Sequence, residues 1–282
     1  MSLHFQQHPG LVVYLTVGDA GLSPNLQSTE NGVAHSVDLS LTRDIALAAI
    51  DAGADVIELG VPFSDPLGDG PVIQRASERA LARGTRLKDV LDLAADLRRA
   101  RPKAGLVIFS YLNPILRFGI AQFADAAAKA GVDGVLLIDM IVEEAAEYIS
   151  EMDRVNLAPI FLAAPTSPDE RLQAIAAHSK GFIYAISRTG ITGKQKNLTA
   201  DAAALVERIR RWTKLPVAVG FGISNADHVA EVAKFADAAV IGSAIVELIE
   251  RSTEEQAPGA VARFIQGLFI QGLRQPVEVQ AL

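Results

Sequence analysis

A carboxylate stands where the chain should be most apolar. Val56-Ile57-Glu58-Leu59 has the composition of a buried strand, and Glu58 shares the inward parity of Val56. Burying an unpaired carboxylate is costly, so such a residue calls for a chemical reason. The segment that follows, Gly60-Val61-Pro62-Phe63-Ser64-Asp65-Pro66-Leu67-Gly68-Asp69-Gly70-Pro71, is shaped by prolines and glycines and adds two more carboxylates, Asp65 and Asp69. An acid near a strand end with others on the following loop suits proton transfer.

Two glycine-centred turns near the C-terminus supply a second signal. Gly220-Phe221-Gly222-Ile223-Ser224 follows a predicted strand at 216–219, and Gly242-Ser243 follows another at 238–241 and opens a short helix over 244–250. Glycine lets backbone N–H groups approach an anion, and a helix N-terminus favours negative charge. Either turn taken singly reads as an ordinary tight turn; together they point to a phosphate. A third segment, Ser187-Arg188-Thr189-Gly190-Ile191-Thr192-Gly193-Lys194-Gln195-Lys196-Asn197, suits a lid over the mouth of the site, or a solvated connector. Tyr184, in the strand before it, reads as core on composition alone.

Other chemistries lack their residues. Cysteine is absent, and the five histidines (His4, His8, His35, His178 and His228) show no metal-ligand spacing, so no metal site is expected. His178 and His228 are expected at the surface of helices. Lys194 and Lys196 sit in a loop, away from any apolar strand end that would suit a Schiff base. No dinucleotide fingerprint or P-loop occurs. What remains is carboxylate acid–base chemistry on a phosphorylated substrate.

The elements that must position these groups follow an alternating rhythm. Strands are predicted at 11–16, 55–59, 105–109, 134–138, 158–162, 181–186, 216–219 and 238–241. Helical stripes separate them, such as Leu41, Ile45, Ala48 and Ala49, then Leu87, Val90, Leu91, Ala94 and Leu97, and later Leu205, Ile209 and Trp212. Ala52-Gly53-Ala54-Asp55 and Ala130-Gly131-Val132-Asp133 form a near-repeat in which glycine ends a helix and aspartate precedes a strand. Eight such units of about 30 residues fit a (β/α)8 TIM barrel. A doubly wound open sheet is the runner-up and leaves the strand count unexplained.

The reading is thus α/β, one catalytic barrel domain over 11–275, with a flexible lead over 1–10 and a tail over 276–282 that frays. Residues 22–38 form a polar insertion after the first strand, either a loop on the active face or an insertion without a role. A C-terminal helix carrying Val261, Phe264, Ile265, Leu268 and Phe269 is expected to dock on the outside of the barrel. The chain has 282 residues, is 50% hydrophobic and has a net charge of -7 with scattered basic residues, which argues against a nucleic-acid surface. No apolar run approaches the roughly 20 residues of a membrane span, and no signal peptide is evident, so a cytoplasmic location is expected.

Four motifs together resemble the tryptophan synthase alpha chain family: Glu58-Leu59-Gly60-Val61-Pro62-Phe63-Ser64-Asp65-Pro66 with Asp69-Gly70-Pro71; Tyr111-Leu112-Asn113-Pro114-Ile115; the segment from Ser187 to Gly193; and Gly220-Phe221-Gly222-Ile223-Ser224. They fall in that family's order over roughly 11–250. The resemblance implies a lyase that cleaves indole-3-glycerol phosphate to indole and glyceraldehyde 3-phosphate, without a cofactor of its own. It implies Glu58 as general acid–base and Asp69 as an ionised partner of the indole N–H. It places Tyr184 in the substrate pocket, Phe221 against the ring, Thr192 on a lid that bonds Asp69, and Gly193, Gly222, Gly242 and Ser243 around the phosphate. Asp65, Pro66 and Asn113 would face a beta chain that carries pyridoxal phosphate, in an alpha2beta2 heterotetramer.

The chain departs from the family pattern in three places. Only a short polar lead precedes Leu11 where a helix usually caps the barrel, the 22–38 segment is long, and Asp139-Met140-Ile141 lacks the usual proline of a partner-facing loop. The departures leave the catalytic residues intact and bear on docking. Two other functions stay open: a ligand-binding regulatory subunit with little turnover, and another phosphate-binding TIM-barrel enzyme.

Overall fold

The computed structural model describes residues 3, 5–21, 37–186, 195–220, 222–269 and 275–276. Within them the strands are β1 (Gln7–His8), β2 (Gly10–Thr16), β3 (Val56–Gly60), β4 (Gly105–Ser110), β5 (Gly134–Leu137), β6 (Ala158–Ile160), β7 (Leu162–Ala163), β8 (Ile183–Ile186), β9 (Val217–Gly220), β10 (Ala238–Ile241) and β11 (Gln275–Pro276). The helices are α1 (Ser40–Asp51), α2 (Pro71–Ala82), α3 (Leu87–Ala100), α4 (Leu112–Phe118), α5 (Ile120–Lys129), α6 (Ala146–Arg154), α7 (Asp169–His178), α8 (Gln195–Arg210), α9 (Ala226–Val232), α10 (Ser243–Arg251) and α11 (Ala257–Leu268).

Nine parallel segments form one sheet in the order β6-β5-β4-β3-β2-β10-β9-β8-β7. Its two ends are the halves of a single run, because β6 and β7 are separated only by Phe161, so the sheet closes into the expected barrel. The strand predicted at 158–162 is therefore one run broken at that residue. Phe161 still serves the ladder: its carbonyl accepts the Tyr184 N–H at 3.2 Å.

Parity along the strands builds two cores. Val12, Val56, Val107, Leu136, Ile160, Ala218 and Val240 fill the interior, while Val13, Ile57, Leu59, Leu106, Ile108 and Val135 face the helices. Burial on both faces explains why these strands read as continuous apolar runs. Of the helical stripes, Leu87, Val90, Leu91, Ala94 and Leu97 are all buried, whereas Trp212 lies beyond the end of α8 and is 42% exposed. Helix α11 packs on α1, outside the barrel, with Val261, Ile265 and Leu268 buried.

The near-repeat has a clear mechanical meaning. Gly53 and Gly131 end their helices at φ +117° and +77°, where other residues are strained. The aspartate that follows each one reaches the neighbouring strand: Asp55 Oδ2 accepts Leu11 N–H at 2.8 Å, and Asp133 Oδ2 accepts Leu106 N–H at 2.9 Å. Asp237 repeats the bond to Val217 N–H at 2.8 Å.

The barrel floor is closed without a helix ahead of β2 among the described residues. Leu3 is buried in the interior cluster with Val12, Val56 and Phe182, and the Phe5 ring packs on Phe182 at 5.8 Å between centroids. The close approach needs small neighbours: a Cβ on Gly181 would sit 2.8 Å from Leu3 Cδ1. β1 pairs antiparallel with β11, bringing Gln7 against Pro276.

Candidate active site

The C-terminal ends of the strands surround a cavity of about 540 Å³. Tyr14, Asp69, Phe109, Ile138, Leu162, Tyr184 and Val240 line it, together with Gly222, Gly242 and Ser243. Apolar walls with a few polar groups converging on them are the usual makeup of a small-molecule site.

Glu58 lies in the same register layer as Tyr14 and Val107. It is 0% exposed, and neither carboxyl oxygen has a hydrogen-bond partner. Burial alone pushes its pKa up to about 8, so the carboxyl holds its proton at neutral pH. The Tyr14 and Tyr184 phenols are pushed well up by burial and by the nearby carboxylates. Tyr14 packs edge-on against Phe109, at 5.1 Å between centroids, and takes a bond from Thr16 Oγ1 at 3.3 Å.

Asp69 differs in exposure and in partners. It is half-buried, and burial raises its pKa to about 6, opposed by a hydrogen bond donated by the Tyr111 phenol at 3.1 Å. It directly precedes Gly70, the N-cap of α2, and Pro71 opens that helix. The positive end of the helix dipole favours an ionised carboxylate there. At neutral pH the two acids therefore hold opposite protonation states.

The second helix end at the cavity is that of α10, whose N-cap is Gly242 and whose first residue is Ser243. The expected short helix thus begins one residue earlier and ends one later than 244–250. Gly222 adopts φ +67°, with no atom within 4 Å of where its Cβ would stand. These three residues make an open, amide-rich rim that suits an anion. Gly220 is packed otherwise: a Cβ there would lie 2.8 Å from Tyr184 Oη.

The structure therefore brings Asp69, Tyr184, Gly222, Gly242 and Ser243 to one cavity, and Glu58, buried outside that lining, lies behind it as the register partner of Tyr14, which does line it. Thr192, Gly193 and Phe221 lie outside the described residues, as do 187–194 of the expected lid and most of 22–38. Asp65 and Asn113 are exposed and Pro66 half-buried, all outside the cavity lining. Leu67 beside them is 93% exposed, with Leu116 and Ile141 also open to solvent. Asp139 Oδ1 caps α4 by accepting Leu112 N–H at 2.7 Å. Sequence reasoning gave no site role to Tyr14 or Tyr111; the one available signal was that Tyr14 shares the inward parity of Val12. His178 is exposed and His228 partly so. Among the described residues no group of three or more His, Cys, Asp or Glu could hold a metal ion, and no helix is long and apolar enough to cross a membrane.

Fold and cavity define a TIM-barrel protein with two acids of unlike environment at the C-terminal face of its strands. Comparison with known proteins narrows this class. The family described as Tryptophan synthase alpha chain matches residues 3–267. The tryptophan synthase alpha chain of Solibacter usitatus is 46% identical over 252 residues, covering 89% of this chain and 88% of that protein. That of Methylococcus capsulatus is 50% identical over 218 residues, covering 77% and 82%. Among solved structures, the alpha subunit from Legionella pneumophila superposes with a TM-score of 0.79 at 32% identity, over 92% of this chain and 91% of that one. A chain of the tryptophan synthase a2b2 complex of Pyrococcus furiosus gives 0.79 at 34% identity, over 93% and 98%. The chain belongs to the tryptophan synthase alpha chain family.

Proposed function

We propose that this chain cleaves indole-3-glycerol phosphate by paired-carboxylate catalysis, with Glu58 as proton donor and Asp69 as the group that steadies the positive charge. The lyase activity in tryptophan biosynthesis is that of its family. The observation that carries the assignment of roles is the contrast between a fully buried, unpartnered Glu58 at about 8 and a hydrogen-bonded Asp69 at about 6.

The carbon–carbon bond to the indole ring breaks readily only after C3 is protonated. Glu58 gives its proton to C3, and the positive charge spreads to the ring nitrogen. Asp69 accepts the indole N–H and stabilises that charge. The bond to the side chain then breaks, its electron pair returning to the ring to give indole. The adjacent hydroxyl becomes the aldehyde of glyceraldehyde 3-phosphate and loses its proton to the Glu58 carboxylate, which restores the acid. Gly222, Gly242 and Ser243 hold the phosphate, and Tyr184 packs beside Glu58. By resemblance, Phe221 faces the ring, Gly193 joins the phosphate site and Thr192 bonds Asp69.

The exposed face carrying Asp65, Pro66, Leu67 and Asn113 suits a beta chain, which would carry pyridoxal phosphate in an alpha2beta2 assembly in the cytoplasm; this chain would need no cofactor. Apolar Leu67, Leu116 and Ile141 on the same side of the barrel support the reading.

The test is Glu58→Gln. Indole release should fall by about 10²- to 10⁴-fold, as expected for loss of a general acid–base, while a phosphate ligand still binds. Retained turnover overturns the assignment. A regulatory subunit would bind substrate yet release no indole, with or without a beta chain.

A further inference from the structure

Arg79, near the end of α2, joins two carboxylates from two other parts of the chain. Its Nε and Nη2 donate to the Asp19 carboxylate at 2.8 and 3.0 Å, and its Nη1 donates to Glu250 Oε1 at 2.7 Å. Glu250, near the end of α10, is held a second time by Arg75 Nε and Nη2 at 2.9 and 2.7 Å. Arg75 first, then Arg79, hold its carboxyl down at about 2.

Asp19 follows β2, its side chain is only 2% exposed, and its Oδ1 also accepts Gly21 N–H at 3.0 Å. Gly21 in turn lies against α10, since a Cβ there would stand 2.7 Å from the Ile249 carbonyl. None of these four charged side chains lines the cavity.

The network ties together the far ends of two helices whose near ends form the two halves of the site. Gly70 caps α2 beside Asp69, and Gly242 caps α10 at the anion-binding rim. Both caps line the cavity, and the helices pack on each other. A helix is stiff over three turns, so fixing the far ends sets the angle between them. The gap between Asp69 and the α10 N-terminus follows from that angle. Bidentate guanidinium–carboxylate pairs fix orientation as well as distance, which a single contact would not.

We infer that Arg79 and Glu250 are positioning residues, a brace that sets the separation of the indole-binding and phosphate-binding halves of the site. The inference rests on the roles proposed above for Asp69, Gly242 and Ser243. It concerns ligands that span both halves, because only they sense the separation.

The test compares the unaltered chain with Glu250→Gln and Arg79→Lys, using calorimetric titration with three probes. The probes are inorganic phosphate, free indole, and a non-cleavable ligand joining an indole ring to a phosphate through a short alkyl chain. Glu250→Gln should weaken the spanning ligand at least tenfold while phosphate and indole each stay within twofold; kcat/KM for the substrate should fall in step. Arg79→Lys, which keeps the charge but can serve only one carboxylate well, should show the same selectivity, and it provides the readout if Glu250→Gln fails to fold by circular dichroism. Equal weakening of phosphate alone and the spanning ligand means a merely structural role, and unchanged affinity for the spanning ligand means none; either overturns the inference. Failure of the functional reading shows separately, as an unaltered chain that neither binds the spanning ligand nor releases indole.

Discussion

The Tyr111 phenol donates to Asp69 at 3.1 Å while accepting the Gly68 N–H at 2.9 Å, so one hydroxyl holds both the carboxylate and the loop that carries it. Of the forces on Asp69, burial raises its pKa and this bond lowers it. In Tyr111→Phe the opposing influence is gone.

The pH profile of kcat/KM reads that change directly. For the unaltered chain we expect a bell with limbs near 6 and 8, where Asp69 must lose its proton and Glu58 must keep its own. Tyr111→Phe should move the acidic limb up by about one pH unit and cost about 1 kcal/mol of stability. An acidic limb that stays in place would show that Asp69 does not govern it.

Stability should also depend on pH through Glu58. Its folded pKa of about 8 lies above the ordinary 4.5, so its contribution is fully present below 4.5 and is lost as pH rises through 8. Glu58→Gln cannot ionise and should lack this loss. Urea titrations at pH 5 and 9 should give the unaltered chain a decline on the order of 4 kcal/mol beyond that of the variant. Parallel declines would mean that Glu58 is not protonated in the folded chain.

Leu3 tests the barrel floor. Truncation to Ala leaves a cavity among Val12, Val56 and Phe182. The expected cost is about 2 kcal/mol, the low end for a buried leucine, with the pH profile of catalysis unchanged. A change in midpoint of denaturation equivalent to less than a few tenths of that would show the floor closed without it.

Leu67 tests the partner face. Leu67→Asp should weaken beta-chain binding at least tenfold, measured by sedimentation or titration, while the isolated chain's kcat stays the same. Unaltered assembly would place the interface elsewhere.

Much of this molecule is visible in its sequence for one reason: parallel strands buried on both faces leave unbroken apolar runs, against which Glu58 is conspicuous. The interruption at Phe161 was hidden because its side chain keeps the apolar pattern and its carbonyl still bonds the neighbouring strand at Tyr184. Tyr14 and Tyr111 were hidden because an aromatic residue in a strand or loop has the same composition whether it packs in a core or faces a ligand. Leu3 could not be found at all by local pattern. It is buried by glycines at 134 and 181, far along the chain, and only closure of the barrel brings them together.

The three aspartates on the barrel floor, Asp55, Asp133 and Asp237, each grip the first amides of an adjacent strand. A one-residue slip between strands would break that grip and turn every side chain to the opposite face. Glu58 would then point into the helix layer. Asp55, three positions earlier and at the other end of the strand, is thus an index mark for the reactive acid. The rim can exchange loops and partners without losing count, because the counting is done at the floor.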